Sequence, residues 1–127
     1  MSLELKKTPL GTAQGLGTAK EGTQHWWGQR VSAVLMIPLV IFLIFSFMSL
    51  ASIDHITISK WLQQPWVAGA MIMFVLTMFV HSELGTQTVV EDYVHGKTKV
   101  VTLLLLKFVH ILMAVIAILS ILRIFLA

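Results

Sequence analysis

The chain has 127 residues, of which 57% are hydrophobic and 12% are charged, and its formal net charge is +3. A soluble domain carries about 25% charged residues, so this composition excludes an ordinary soluble domain and indicates an integral membrane protein. The absence of cysteine excludes disulfides, thiolate chemistry and cysteine-ligated clusters, and the basic residues are too scattered for a nucleic-acid-binding patch.

The N-terminal residues 1–24 are polar, rich in glycine and threonine, and mix Lys with Glu. This composition is not that of an Arg-rich, amphipathic targeting peptide. We therefore expect a polar N-terminal segment over residues 1–24, extended over a surface or a partner, followed by a membrane anchor over residues 25–127.

Three long apolar stretches predict three transmembrane helices, over about residues 30–53, 66–90 and 99–125. Each is long enough to cross a hydrocarbon core about 30 Å thick, where the backbone has to be helical because no water satisfies its polar groups. Short linkers over residues 54–64 and 91–99 join them, with Gly96 expected to stop the second helix. The sequence thus predicts an all-α membrane protein.

The distribution of basic residues predicts how the chain is oriented in the membrane. Six of them lie near the N-terminus and in the second linker, against two at the opposite ends of the spans. Positive charge is concentrated on the cytoplasmic side, so the N-terminus and the 91–99 linker are expected on the cytoplasmic or matrix face. Three helices also form little interior of their own, so we expect them to pack against the membrane helices of other chains in a larger complex.

Four ionisable residues, His81, Glu83, Lys107 and His110, lie inside the predicted spans away from their ends, where such residues are functional candidates. Glu83 and Lys107 lie at matched depth on the second and third spans, so they can pair; alternatively, each side chain reaches the cytoplasmic interface separately. His81 has the small residues Thr77 and Gly85 one turn away on either side, which would let a large planar group approach. It is either a haem ligand or a histidine hydrogen-bonded to a neighbouring helix, and His110, at similar depth, makes an intrachain bis-histidine site a rival.

Two further features suggest ligand contacts at the cytoplasmic face. Asp92 and Tyr93 close the second span, where a phenol beside a carboxylate suits hydrogen bonding to a quinone; the alternative is an interfacial tyrosine anchor. Arg30 opens the first span, and it is either a topology signal or a partner for an anion such as a haem propionate or a lipid phosphate.

Two motifs carry a resemblance to a known family. The pattern H-x2-LG-x6-DY, formed by His81, Leu84, Gly85, Asp92 and Tyr93, resembles the hydrophobic membrane anchor of succinate dehydrogenase, respiratory Complex II. The stretch HWWGQRVSAVLMIPL resembles the opening of the first span in the α-proteobacterial branch of that family, which includes mitochondrially encoded relatives. The resemblance extends from about residue 15 to the end of the chain.

The resemblance implies that the chain packs with a homologous three-helix anchor, the cytochrome b subunit, in a base that binds one haem b. This base would dock the iron–sulfur and flavoprotein subunits, which hold the iron–sulfur clusters and FAD, in a bacterial or mitochondrial inner membrane. His81 would be the axial ligand of the haem iron, with the other axial histidine from the cytochrome b subunit, and Arg30 would lie near the propionates. Tyr93 would hydrogen-bond ubiquinone, with Asp92 beside it, whereas His110 has no role in the family pattern. The alternatives are a fumarate reductase anchor and a structural anchor without a cofactor.

Overall fold

The structure, a computed structural model, describes residues 19–127 and the side chains of residues 22–127. Four helices follow one another: α1 (Ala19–Met48), α2 (His55–Leu62), α3 (Pro65–Tyr93) and α4 (Lys97–Leu126). The described residues contain no strand. Three of the helices are long and apolar enough to cross a membrane, over Gly22–Met48, Pro65–Tyr93 and Lys97–Leu126. The predicted all-α architecture with three transmembrane helices is therefore confirmed.

The observed helix ends show how the chain turns between spans. Helix α1 ends at Met48, whereas the predicted first span continues to residue 53. Helix α3 begins at Pro65, whose missing N–H costs nothing in a first helical turn, and it ends at Tyr93. Gly96 has a φ of 72° and lies directly before α4, a conformation that glycine adopts without steric penalty. The division at residue 24 stays a prediction, since most of segment 1–24 lies outside the described residues.

The short helix α2 lies within the predicted first linker and packs against the ends of the long helices. Asp54 caps it by accepting the Thr57 N–H at 2.8 Å. The buried Trp61 donates its indole N–H to Ser46 Oγ on α1 at 2.7 Å. Gln63, just after α2, donates to the Ile124 carbonyl of α4 at 3.3 Å. This linker thus joins α1 and α4 at one end of the molecule.

Helix α3 is the central helix, because it packs against both α1 and α4, which do not pack against each other within the described residues. Ala68, Val75 and Ile121 form a small buried apolar cluster between α3 and α4. Most large apolar side chains on the two outer spans, α1 and α4, are exposed instead. This exposed surface is suited to lipid or to further membrane helices. The two interfaces of α3 carry different polar groups, which define the candidate site.

Candidate functional site

His81 lies on α3 and is directed at α1. Its Nδ1 is 3.0 Å from Ser32 Oγ and 3.2 Å from the backbone carbonyl oxygen of Gln29. A carbonyl only accepts hydrogen bonds, so this arrangement favours the tautomer in which Nδ1 carries the proton. Nε2 then carries the lone pair, which accepts a long hydrogen bond of 3.4 Å from the side-chain nitrogen of Gln29.

A polar stripe on α1 faces this histidine. His25, Gln29 and Ser32 follow one another at spacings of four and three residues, which places them on one face of the helix. Two buried atoms of this stripe, His25 Nε2 and Gln29 Oε1, have no hydrogen-bond partner among the residues that the structure describes. Buried polar atoms are normally paired, so these two mark a place where a further polar group can bind.

Gly28 allows α1 and α3 to approach each other beside His81, where Gly85 lies on the facing helix. A Cβ on Gly28 would lie 3.0 Å from Leu84 Cδ1, and a Cβ on Gly85 would lie 3.5 Å from Gln29 Nε2. Small residues at membrane helix interfaces permit this kind of close packing. The 3.5 Å distance at Gly85 is an ordinary van der Waals contact, so Gly28 is the position at which the close packing favours glycine.

The other interface of α3, toward α4, holds a second polar cluster. Glu83 Oε1 and Lys107 Nζ are 3.5 Å apart, so of the two alternatives left open by the sequence the structure shows the ion pair. His110 Nε2 lies 3.1 Å from Ser82 Oγ, and His110 Nδ1 lies 2.7 Å from the Leu106 carbonyl oxygen, which makes Nδ1 the donor. His81 and His110 thus contact different helices, and the structure does not bring them together in an intrachain bis-histidine site. No group of three or more His, Cys, Asp or Glu within the described part of the chain could hold a metal ion.

Asp92 and Tyr93 occupy the last turn of α3. Both side chains are exposed, Tyr93 at 82%, and neither has a hydrogen-bond partner among the described residues. Tyr93 follows His81 by twelve residues, which is about 18 Å along the helix axis. The phenol and the carboxylate are therefore free to bind a ligand or a partner at this end of the molecule, and they are well separated from His81.

Arg30 lies on α1, one residue after Gln29, and its side chain is exposed. Its guanidinium carbon lies 5.2 Å from the centre of the Trp26 ring, a cation–π arrangement one helical turn away. The neighbouring Gln29 contacts His81, so Arg30 lies near the level of His81, whereas Tyr93 lies at the end of α3.

Comparison with known proteins decides the family of this three-helix chain. A family described as the succinate dehydrogenase/fumarate reductase transmembrane subunit matches residues 4–122. The chain belongs to this family. It is 33% identical over 92 residues to the succinate dehydrogenase hydrophobic membrane anchor subunit of Paracoccus denitrificans, covering 72% of this chain and 71% of the relative.

Two further relatives are also named as membrane anchor subunits of succinate dehydrogenase. The succinate dehydrogenase membrane anchor subunit of Reclinomonas americana is 29% identical over 96 residues, covering 72% of this chain and 80% of the relative. The hydrophobic membrane anchor subunit of Rickettsia conorii is 30% identical over 89 residues, covering 69% and 71%. No solved structure matches the chain significantly. The resemblance to the membrane anchor of succinate dehydrogenase is therefore confirmed, and the chain is a multi-pass membrane protein.

Within this membrane anchor, sequence reasoning missed the partners of His81 on α1. Gln29 and Ser32 are separated from His81 by 52 and 49 residues, so no local pattern links them to it. The spacing of His25, Gln29 and Ser32 on one face of an otherwise apolar helix was the signal that could have found them. Such a stripe requires polar partners on a facing helix.

Proposed function

We propose that this membrane anchor binds haem b together with a second anchor, the cytochrome b subunit, and contributes to the ubiquinone site of succinate dehydrogenase. The observation that carries the proposal is the environment of His81 Nδ1, which lies 3.2 Å from the Gln29 carbonyl oxygen. A histidine that binds a metal almost always donates its other ring N–H to a carbonyl, a carboxylate or water. His81 has this arrangement, with Nε2 as the nitrogen for iron.

The residues around His81 fit such a group. The Gln29 carboxamide, beside Nε2, is the end of a flexible side chain that can turn away. The buried atoms of His25 and Gln29 that lack a partner among the described residues could hydrogen-bond a polar group of such a ligand. A bound haem would supply one-electron chemistry. His81 would hold its iron, and Arg30, exposed on the same helix as Gln29, is suited to a propionate, since guanidinium pairs with carboxylates.

Tyr93 and Asp92 suit the ubiquinone site. The Tyr93 phenol can donate a hydrogen bond to a quinone carbonyl oxygen, and the Asp92 carboxylate can accept a proton or orient the phenol. Both side chains are exposed at the end of α3, where a partner chain could cover them. In this proposal the end of α3 is on the cytoplasmic or matrix face, where the iron–sulfur and flavoprotein subunits dock in a bacterial or mitochondrial inner membrane.

Succinate oxidation belongs to the flavoprotein in this proposal, and FAD and the iron–sulfur clusters belong to the partner subunits. The anchor itself carries no dicarboxylate site and takes part in catalysis only within the assembled succinate:quinone oxidoreductase. The relatives from Paracoccus, Reclinomonas and Rickettsia are all named as succinate dehydrogenase subunits, which favours this enzyme over a fumarate reductase.

The decisive experiment is an optical spectrum of the purified complex and of two histidine variants. We expect a low-spin b-type haem band in the wild type, its loss or perturbation in His81→Ala, and no change in His110→Ala. His110 is the matched control because it lies at similar depth but bonds Ser82 and its own helix instead of α1. If the wild-type complex contained no haem, the chain would be a structural anchor without a cofactor. If the spectrum of His81→Ala equalled that of the wild type, His81 would be excluded as the ligand.

A further inference from the structure

Ser32 is a buried polar residue on the apolar helix α1, and its side chain is only 5% exposed. Its hydroxyl donates to the Gln29 carbonyl of the preceding turn at 3.0 Å. Since the hydroxyl proton is used in this bond, the oxygen lone pairs are left to accept a hydrogen bond. His81 Nδ1 lies 3.0 Å from that oxygen.

We propose that Ser32 is a positioning residue for His81: its hydroxyl, with the Gln29 carbonyl, accepts the Nδ1–H and fixes the tautomer and ring orientation of the imidazole. The inference rests on the proposed function, in which Nε2 binds haem iron. It adds to that function a second acceptor, beside the Gln29 carbonyl, that raises the electron-donating strength of the ligand.

The expected effect of Ser32 follows from the chemistry of imidazole. Donation of the Nδ1–H to an acceptor makes Nε2 more basic. A more basic nitrogen stabilises ferric over ferrous iron, so the hydrogen bond lowers the midpoint potential of the haem. Hydrogen bonds to a metal ligand are one of the levers by which a protein tunes haem potential.

The packing beside Ser32 keeps this contact in place. Gly28 permits α1 and α3 to pack closely, as the 3.0 Å between a Cβ on Gly28 and Leu84 Cδ1 indicates. Two acceptors at 3.0 and 3.2 Å from the same nitrogen restrict rotation of the imidazole. The ring plane is thereby determined by α1.

A serine whose hydroxyl bonds only a carbonyl of its own helix would not position His81. The chain contains such a serine, which serves as a matched control. Ser120 on α4 donates to the Ile116 carbonyl at 2.8 Å, as Ser32 does to Gln29. Its side chain is exposed, and it has no partner on another helix among the described residues. Ser120→Ala therefore removes a similar local bond without touching His81.

The test is an optical redox titration and a low-temperature EPR spectrum of the purified complex. We expect Ser32→Ala to raise the midpoint potential of the haem and to change its low-spin g values. Ser32→Thr, which keeps the hydroxyl, is expected to stay near the wild-type potential, and Ser120→Ala is expected to match the wild type.

The outcomes separate this inference from the proposed function. A wild-type complex without haem overturns both. Haem with the same potential in Ser32→Ala and Ser120→Ala overturns the role of Ser32 and leaves His81 as the ligand. If Ser32→Ala does not assemble, Ser32→Cys replaces it, because a thiol of similar size is a weak acceptor. A Ser32→Cys potential above that of the wild type supports the inference, and an unchanged potential overturns it.

Discussion

Glu83 on α3 and Lys107 on α4 form an ion pair, with 3.5 Å between Oε1 and Nζ. The Glu83 side chain is 25% exposed and the Lys107 side chain 63%. Inside a membrane each charge would be unfavourable alone, and the pair gives each a partner. Its position on the α4 side of α3 separates it from His81, which contacts α1.

Removal of one charge of this pair is expected to destabilise the anchor. Lys107→Met leaves the Glu83 carboxylate without its partner, and we expect the free energy of unfolding to fall by on the order of 1 kcal/mol. The double variant with Glu83→Gln is expected to recover most of this loss. The free energy of unfolding is measured by titration with a denaturing detergent for the wild type, the two single variants and the double variant, which together form a double-mutant cycle. Lys97→Met, at the exposed start of α4, is the control, and a coupling energy of zero would exclude the pair as a stabilising contact.

Tyr93→Phe tests the proposed quinone contact. The variant keeps the ring and removes only the phenol oxygen, so we expect ubiquinone reduction by succinate to fall about tenfold, as loss of one hydrogen bond to a reacting ligand predicts. Succinate oxidation with an artificial dye is the internal control and should not change, because the proposal places that reaction in another subunit. Equal ubiquinone turnover in wild type and variant would contradict the role of Tyr93.

The three spans could be predicted from the sequence because the bilayer leaves the backbone only one solution over a long apolar stretch. The Glu83–Lys107 pair was also accessible, since depth along consecutive spans follows from residue counting. Helix α2 was not predicted. It has only eight residues, too few for a clear periodic pattern. Asp54, which accepts the Thr57 N–H, is nevertheless a residue type that is typical of the position directly before a helix.

The partners of His81 could not be predicted for a different reason. Residue counting gives the depth of a side chain but does not give the rotation of its helix against its neighbours. His81 could have faced α1, α4 or neither, and its contacts with Gln29 and Ser32 depend on how α1 and α3 pack beside Gly28. Helix rotation also separates His110 from His81 despite their similar depth.

Asp54 gives α2 a pH-dependent cap. The Ser52 hydroxyl, followed by the Thr57 N–H and hydroxyl, lowers the pKa of Asp54 from 3.8 to about 2. Since the folded pKa lies below the ordinary value, the cap stabilises α2 fully above about pH 3.8, and this contribution is lost as the pH falls through about 2.

We expect the protection of the α2 amides from hydrogen exchange, corrected for intrinsic rates, to decrease across that pH interval. Asp54→Asn keeps a side-chain oxygen that can cap α2 but does not titrate. In this variant the protection of the α2 amides should therefore not depend on pH across the interval. The same pH dependence in wild type and Asp54→Asn would show that another group is responsible.

The bond between Trp61 and Ser46 is expected to hold α2 against the end of α1. The Trp61 indole donates to Ser46 Oγ at 2.7 Å, and its ring meets Phe47 edge to face with 5.7 Å between centroids. Trp61→Phe and Ser46→Ala each remove the hydrogen bond, so a double-mutant cycle should give a coupling energy of about 1 kcal/mol in the free energy of unfolding. Trp66→Phe is the matched control, because the indole of Trp66 bonds the exposed Gln64. If Trp61→Phe were no more destabilising than Trp66→Phe, α2 would have to be held mainly by its contacts with α3 and α4.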